Sequence, residues 1–170
     1  MRALVLKQLW DLSKERSPLE LVELPYPLFK ENEIVVEVVT CGVCRTELDE
    51  IEGRTPPSFF PIILGHQIVG RVVEKGSKVQ KFNLGDRVGI AWIHSSCGKC
   101  YFCREGRENL CAEFKATGRD AQGGYAEYTV VGEHYAYLLP STISDEEAAP
   151  LLCAGAVGYR SLKLGGVTNG

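Results

Sequence analysis

Short apolar runs set off by turn residues account for most of the chain. Residues 4–6, 34–39, 68–73, 88–92 and 125–131 are rich in β-branched and aromatic side chains, and each run is bounded by Gly, Pro, Asn or Asp. They predict strands. Between them, Pro25-Tyr-Pro27, Lys75-Gly-Ser77, Asn83-Leu-Gly-Asp86 and Gln122-Gly-Gly124 supply the fixed or positive φ that a reversing chain needs. Several short strands with no helical period between them argue for a β-barrel or sandwich. The pattern changes near Ser141. Ser144-Asp-Glu-Glu147 has the form of a capping box, and Arg160 and Lys163 lie toward the far end, which predicts helix over residues 145–164 with an interruption around Pro150. The closing Leu164-Gly-Gly-Val-Thr-Asn-Gly170 is polar and glycine-rich, and reads as a junction to something further.

The length, 170 residues, suits one domain with a sizeable core. A formal net charge of −3 with scattered Lys and Arg gives no footprint for nucleic acid or an anionic membrane surface. The apolar run at the N-terminus is too short for a signal peptide, and no run is long enough to span a bilayer, so the expectation is a cytoplasmic protein. Seven cysteines, an odd number, then change the picture. In a reducing compartment clustered cysteines read as metal ligands before they read as disulfides, and an extracellular disulfide scaffold would need an export signal.

Cys97-Gly-Lys-Cys100-Tyr-Phe-Cys103, followed after seven residues by Cys111, brings four thiolates into one short lobe. Two-residue gaps let the backbone fold around a tetrahedral ion, and thiolate is a soft donor, so the spacing predicts a closed structural zinc site. Two disulfides or an iron–sulfur cluster are the other readings. Lys99, Arg104 and Arg107 are placed to offset the surplus negative charge. A second constellation lies in residues 41–70, where Cys41-Gly-Val-Cys44-Arg-Thr46-Glu-Leu-Asp49 runs through a short loop to Gly65-His66-Gln67. Taken alone, Cys41 and Cys44 could be a chelating pair, His66 a hydrogen-bonded structural residue, and Cys153 in Leu152-Cys153-Ala-Gly155 a small hydrophobe on a helix.

Gly65-His66-x3-Gly70-x5-Gly76-x2-Val79, Gly85-Asp-Arg-Val88, the lobe from Cys97 to Cys111, Gly123-Gly-Tyr-Ala-Glu127 and Leu152-Cys153-Ala-Gly155 occur in an order that resembles the zinc-containing medium-chain alcohol dehydrogenases. The resemblance covers nearly the whole chain and falls on that family's N-terminal catalytic domain. It implies a mainly β, GroES-like barrel with a four-cysteine zinc lobe and a C-terminal helical segment. It further implies that Cys44, His66 and Cys153 hold a catalytic zinc, that Cys41 does not, and that the lobe holds a second zinc. The open zinc would act as a Lewis acid toward an alcohol oxygen. By the same resemblance Thr46 takes the alcohol proton, Arg45 contacts the pyrophosphate of NAD or NADP, and Trp92 walls the substrate pocket. Without it, Thr46 would be a turn or capping hydroxyl, Arg45 a surface charge and Trp92 a core residue.

Three departures limit the transfer. Gln67 stands where the family commonly has Glu, which removes an anion from behind the zinc. Asp49 stands where many relatives end a proton relay on His, and an unperturbed Asp is too acidic for a good base near neutral pH. No Gly-x-Gly-x2-Gly opens a helix after a strand, so the dinucleotide-binding fingerprint is missing from the chain. The expectation is therefore a catalytic zinc domain over residues 1–164 and a junction over 165–170 to a Rossmann domain that this chain lacks. Such a chain is inactive alone, and its uncovered apolar surface invites self-association. The positions after Asp49 (Ile51, Arg54, Thr55) lack a bulky aromatic, which favours alcohols larger than ethanol. A polyol or amino-alcohol dehydrogenase, or a zinc-binding module without catalysis, are the alternatives.

Overall fold

A computed structural model describes residues 1–167. The expected glycine-rich junction over 165–170 lies partly outside them, and what is described of it is a turn closing the last helix. The order of elements is β1 (Arg2–Leu6), β2 (Leu19–Glu23), β3 (Glu33–Gly42), α1 (Arg45–Ile51), β4 (Ile62–Ile63), β5 (Gln67–Lys75), β6 (Arg87–Ile90), β7 (Ile93–Ser95), α2 (Tyr101–Arg104), β8 (Lys115–Ala116), β9 (Tyr128–Gly132), β10 (Ala136–Leu138), α3 (Asp145–Pro150) and α4 (Ala156–Leu164). A five-stranded sheet runs β10-β6-β5-β3-β9, a three-stranded one β2-β1-β4, and β7 pairs β8.

The two larger sheets curl toward each other through one stretch of chain. Residues 125–131, expected as a single strand, divide between them: Tyr125 C=O accepts from Leu4 N–H and Glu127 N–H donates to Arg2 C=O, while residues from Tyr128 onward pair with β3. Their inner faces bury Ile34, Val36, Ile68, Val72, Phe82, Val88, Ile90 and Val131 in one core, and Leu6, Ile51, Ile62 and Leu64 in a second. β3 and β5 carry consecutive buried residues instead of an alternation. The reason is that α3 covers their other face, with Ala148 and Ala149 against Val69.

Two expectations need correction. A helix, α1, does lie between strands; at seven residues it is too short to show a period, and it starts on a cysteine instead of the usual Ser, Thr, Asp or Asn. The run 88–92 ends as a strand at Ile90, and the chain re-enters sheet structure only at Ile93, on a different partner. The interruption expected around Pro150 is present, as a change of winding within the C-terminal helix. Ser144 caps it as expected, its Oγ accepting from Glu147 N–H at 3.2 Å, and after Pro150 the winding widens to a π turn over Leu151–Gly155 before α4 continues. A proline has no N–H to give the preceding turn, and a locally wider turn accommodates that loss while the axis continues.

Candidate metal centres

Cys44, His66 and Cys153 come from three distant segments and converge. Their ligating atoms all lie within 4.8 Å of one another, and Cys44 Sγ is 3.9 Å from Cys153 Sγ. Two thiolates bound to one tetrahedral zinc sit about 3.8 Å apart, so the donor set fits a single ion of that kind.

Local structure explains each position. Cys44 precedes the first turn of α1, where its backbone N–H is held at 2.7 Å by the Glu47 carboxylate. His66 follows Gly65, which adopts φ +96°; a Cβ there would strike the Tyr125 ring and Cys41 Sγ. The imidazole is buried, with Nδ1 2.6 Å from Glu47 Oε1. The contact is close, yet neither Nδ1 nor Glu47 Oε1 has a hydrogen-bond partner of good geometry; Nε2 is likewise buried and without a partner, which leaves it free as an electron-pair donor. Cys153 lies in the π turn, which rests on the sheet where Leu152 packs over Gly89. Burial and the neighbouring Cys44 push the Cys153 thiol up, against a hydrogen bond from the Gln67 side chain.

The lobe cysteines also meet: Cys97, Cys100, Cys103 and Cys111 bring their sulfurs within 4.8 Å of one another, at the same spacing that one ion requires. Backbone N–H groups of Lys99 and Cys100 pull the Cys97 thiol down to about 6, as suits a thiolate ligand. Cys41 belongs to neither group, and burial pushes its thiol up to about 12.

The other expected site residues surround the first centre. Thr46 Oγ1 lies 3.6 Å from Cys44 Sγ. Asp49 is held by Arg54 at 2.5 Å and Arg45 at 3.2 Å, and these cations, Arg54 first, keep its carboxyl below the usual range. Arg45 is exposed, with this ion pair as its contact. The Trp92 ring packs against Phe114 with centroids 5.1 Å apart, beneath the Arg119 guanidinium, and its Nε1 is buried without a partner. Ile51 is not a pocket residue: it is 4 % exposed and packs with Leu6, Ile62 and Leu64.

Two acidic residues had no role assigned from sequence. Glu47 braces both Cys44 and His66 and supplies the carboxylate that Gln67 does not. Its signal, a Glu three residues after a helix-starting residue, is legible only if cysteine is admitted at that position. Glu50 is wholly buried one turn on, with neither carboxyl oxygen hydrogen-bonded. Nothing in the sequence separates it from the partly exposed Asp49 and Glu52 beside it.

Residues 30–141 match the family model described as alcohol dehydrogenase GroES-like domain. The chain is 50 % identical over 153 residues to the Mycobacterium tuberculosis protein named "Probable alcohol dehydrogenase AdhA", covering 87 % of this chain and 44 % of that one. It is similar to the crystal structure of an NAD-dependent alcohol dehydrogenase, with a TM-score of 0.90 and 30 % identity over 100 % of this chain and 49 % of that one. It is also similar to the CAD of Helicobacter pylori complexed with NADP(H), with a TM-score of 0.88 and 26 % identity over 99 % and 50 % of the two chains. The chain spans about half the length of the relatives it matches. Among the described residues no helix is long and apolar enough to cross a membrane.

Proposed function

This chain belongs to the alcohol dehydrogenase GroES-like domain family, and from that premise we propose that it is the zinc-bearing catalytic domain of an NAD(P)-dependent alcohol dehydrogenase. Residues 1–164 are the catalytic domain and 165–170 the joint to a dinucleotide-binding domain. The observation that carries the reading is the convergence of Cys44, His66 and Cys153, with the buried Nε2 of His66 left free to donate. These residues would hold one zinc, and Cys97, Cys100, Cys103 and Cys111 a second, giving two per chain. Bound at the open site, zinc supplies a Lewis acid that polarises an alcohol or carbonyl oxygen.

The chain's own residues do the rest. Glu47, in close contact with Nδ1, holds the direction of the His66 ring. Thr46, beside Cys44, is placed to hold the hydroxyl proton of the substrate. Arg45 is the cofactor phosphate contact, and in this chain it must first leave Asp49. Asp49, already committed to two cations, holds its charge and hands on no proton near neutral pH. Trp92 forms one wall of the substrate pocket. The dinucleotide-binding domain covers apolar side chains that α4 exposes, Val157 and Leu164 on one side of the helix and Tyr159 and Leu162 on the other; a chain lacking that cover self-associates.

Zinc content measured together with an NAD(P)H titration tests this. Two zincs per chain, falling to one in Cys153→Ser, and no cofactor binding by the chain alone are the expected results. One zinc in the unmodified chain leaves a zinc module without an open site, and measurable turnover by the chain alone overturns the division at residue 164.

A further inference from the structure

Two of the four lobe sulfurs accept hydrogen bonds from backbone N–H groups of the lobe itself. Cys97 Sγ accepts from Cys100 N–H at 3.3 Å, and Cys111 Sγ from Cys97 N–H at 3.5 Å and Glu113 N–H at 3.3 Å. Cys100 Sγ lies 3.5 Å from Cys103 Sγ. Cys103 differs: among the described residues, its sulfur has one oxygen or nitrogen neighbour within hydrogen-bond reach, Ser96 Oγ at 3.2 Å. Ser96 Oγ is in turn 2.8 Å from the hydroxyl of Tyr135.

Chemistry fixes the direction of this chain. A cysteine that ligates a metal does so as thiolate and has no proton to give. Ser96 must therefore donate to Cys103 Sγ, and Tyr135 O–H must donate to Ser96 Oγ. Tyr135 is itself well anchored. Its ring packs against the main core, and its 3₁₀ turn, Glu133–Tyr135, is pinned by Gln80 and Lys81 N–H groups donating to the Glu133 carboxylate at 2.9 and 2.8 Å. The lobe has little of this kind to rely on, because Cys111 is its one residue in the buried core.

We infer that Tyr135 and Ser96 form a positioning chain that ties the Cys103 thiolate to the barrel and slows release of the lobe's metal. The inference rests on the lobe being a zinc site, and goes beyond it by naming two residues that are not ligands. Removing an outer hydrogen-bond partner of a ligand commonly costs ten-fold or more in metal affinity. Removing the donor to sulfur should matter most, and removing Tyr135 O–H should weaken Ser96 as a donor without abolishing it.

The test uses Ser96→Ala, Tyr135→Phe and the double variant in the full 170-residue chain, after the zinc count of the unmodified chain is known. Two readouts serve: the rate of zinc transfer to a chromophoric chelator, and the thiolate-to-cobalt charge-transfer band of the cobalt-loaded lobe. Ser96→Ala is expected to speed release of one zinc about ten-fold and move the band, leaving the other zinc unaffected. Tyr135→Phe, which keeps the ring in the core, should act the same way more weakly, and the double variant should match Ser96→Ala. Unchanged release and an unmoved band in Ser96→Ala overturn the inference. So does full additivity in the double variant, which would mean that the two residues act separately. A lobe that binds no zinc fails at the first count, before any variant is compared, and overturns the reading of the lobe along with it.

Discussion

Glu47 does two jobs with one carboxylate, accepting the Cys44 N–H through Oε2 and facing His66 Nδ1 through Oε1. Glu47→Gln keeps the size but removes the charge and presents an amide that can face His66 with a donor. Zinc affinity at the Cys44–His66–Cys153 centre should fall about 10- to 100-fold, with the lobe unaffected. Chelator competition on the two-zinc chain measures it; equal loss from both sites would show general unfolding instead. Glu50 makes a different demand. Its burial, with Glu47, Asp120 and Cys44 adding to it and Arg119 opposing, pushes its carboxyl up to about 8 in the metal-free chain, whereas unfolded it titrates near 4.5. Between those values the folded chain binds the extra proton, so stability falls as pH rises through the window and is fully retained only below it. Glu50→Gln removes the titration. Relative to the unmodified chain it should gain on the order of 1–3 kcal/mol on going from about pH 5 to pH 8. Urea unfolding at the two pH values decides this: parallel pH trends for the two proteins would mean that Glu50 does not titrate there.

At the scale of elements, the ladder between β3 and β5 is what brings His66 to Cys44. Its register slips between Val38, opposite Gly70, and Thr40, opposite Val69, which leaves Val39 as the extra residue of a bulge. Gly70 is needed there because a Cβ would run into the Glu37 carbonyl oxygen of the facing strand. Gly70→Ala should cost about 1–3 kcal/mol of stability, read as a lower urea midpoint, and should also loosen the zinc bound by His66, which lies four residues upstream. An unchanged midpoint would mean that the two strands separate freely at this point. Gly70 was visible in the sequence as part of the Gly65-His66-x3-Gly70 pattern, yet its reason was not, since that reason is a backbone atom on another strand. The same division holds elsewhere. The long β-branched strands and the capped helix after Ser144 declare themselves through local composition. The two-residue strands β4 and β8 and the seven-residue α1 exist through their partners, and no local period marks them. The proposed zinc ligands were legible as residue types and by resemblance, and their convergence on one point depends on pairings across more than a hundred residues.

Across the whole molecule, cohesion is unevenly distributed. The barrel has two apolar cores and long paired strands. The lobe between β7 and β8 has a four-residue helix, a three-residue 3₁₀ turn and exposed Tyr101, Phe102 and Leu110. Hydrophobic burial cannot hold such a segment, so on the proposed reading its order depends on the metal, whose binding is worth roughly 10–16 kcal/mol in small structural zinc sites. The other centre is built differently: its three proposed ligands sit on segments that the barrel already fixes, just before α1, just before β5 and in the turn after α3. Stripping both zincs should therefore melt one region and leave the other. Hydrogen exchange after chelation is expected to show residues 97–111 losing protection while the amides of β3 and β5 keep theirs. Restoring one equivalent of zinc should bring the lobe back first, because four thiolates outcompete two thiolates and an imidazole for a soft ion. Loss of protection in β3 and β5 on chelation would show that the metals hold the barrel as well, and that the two regions form one cooperative unit.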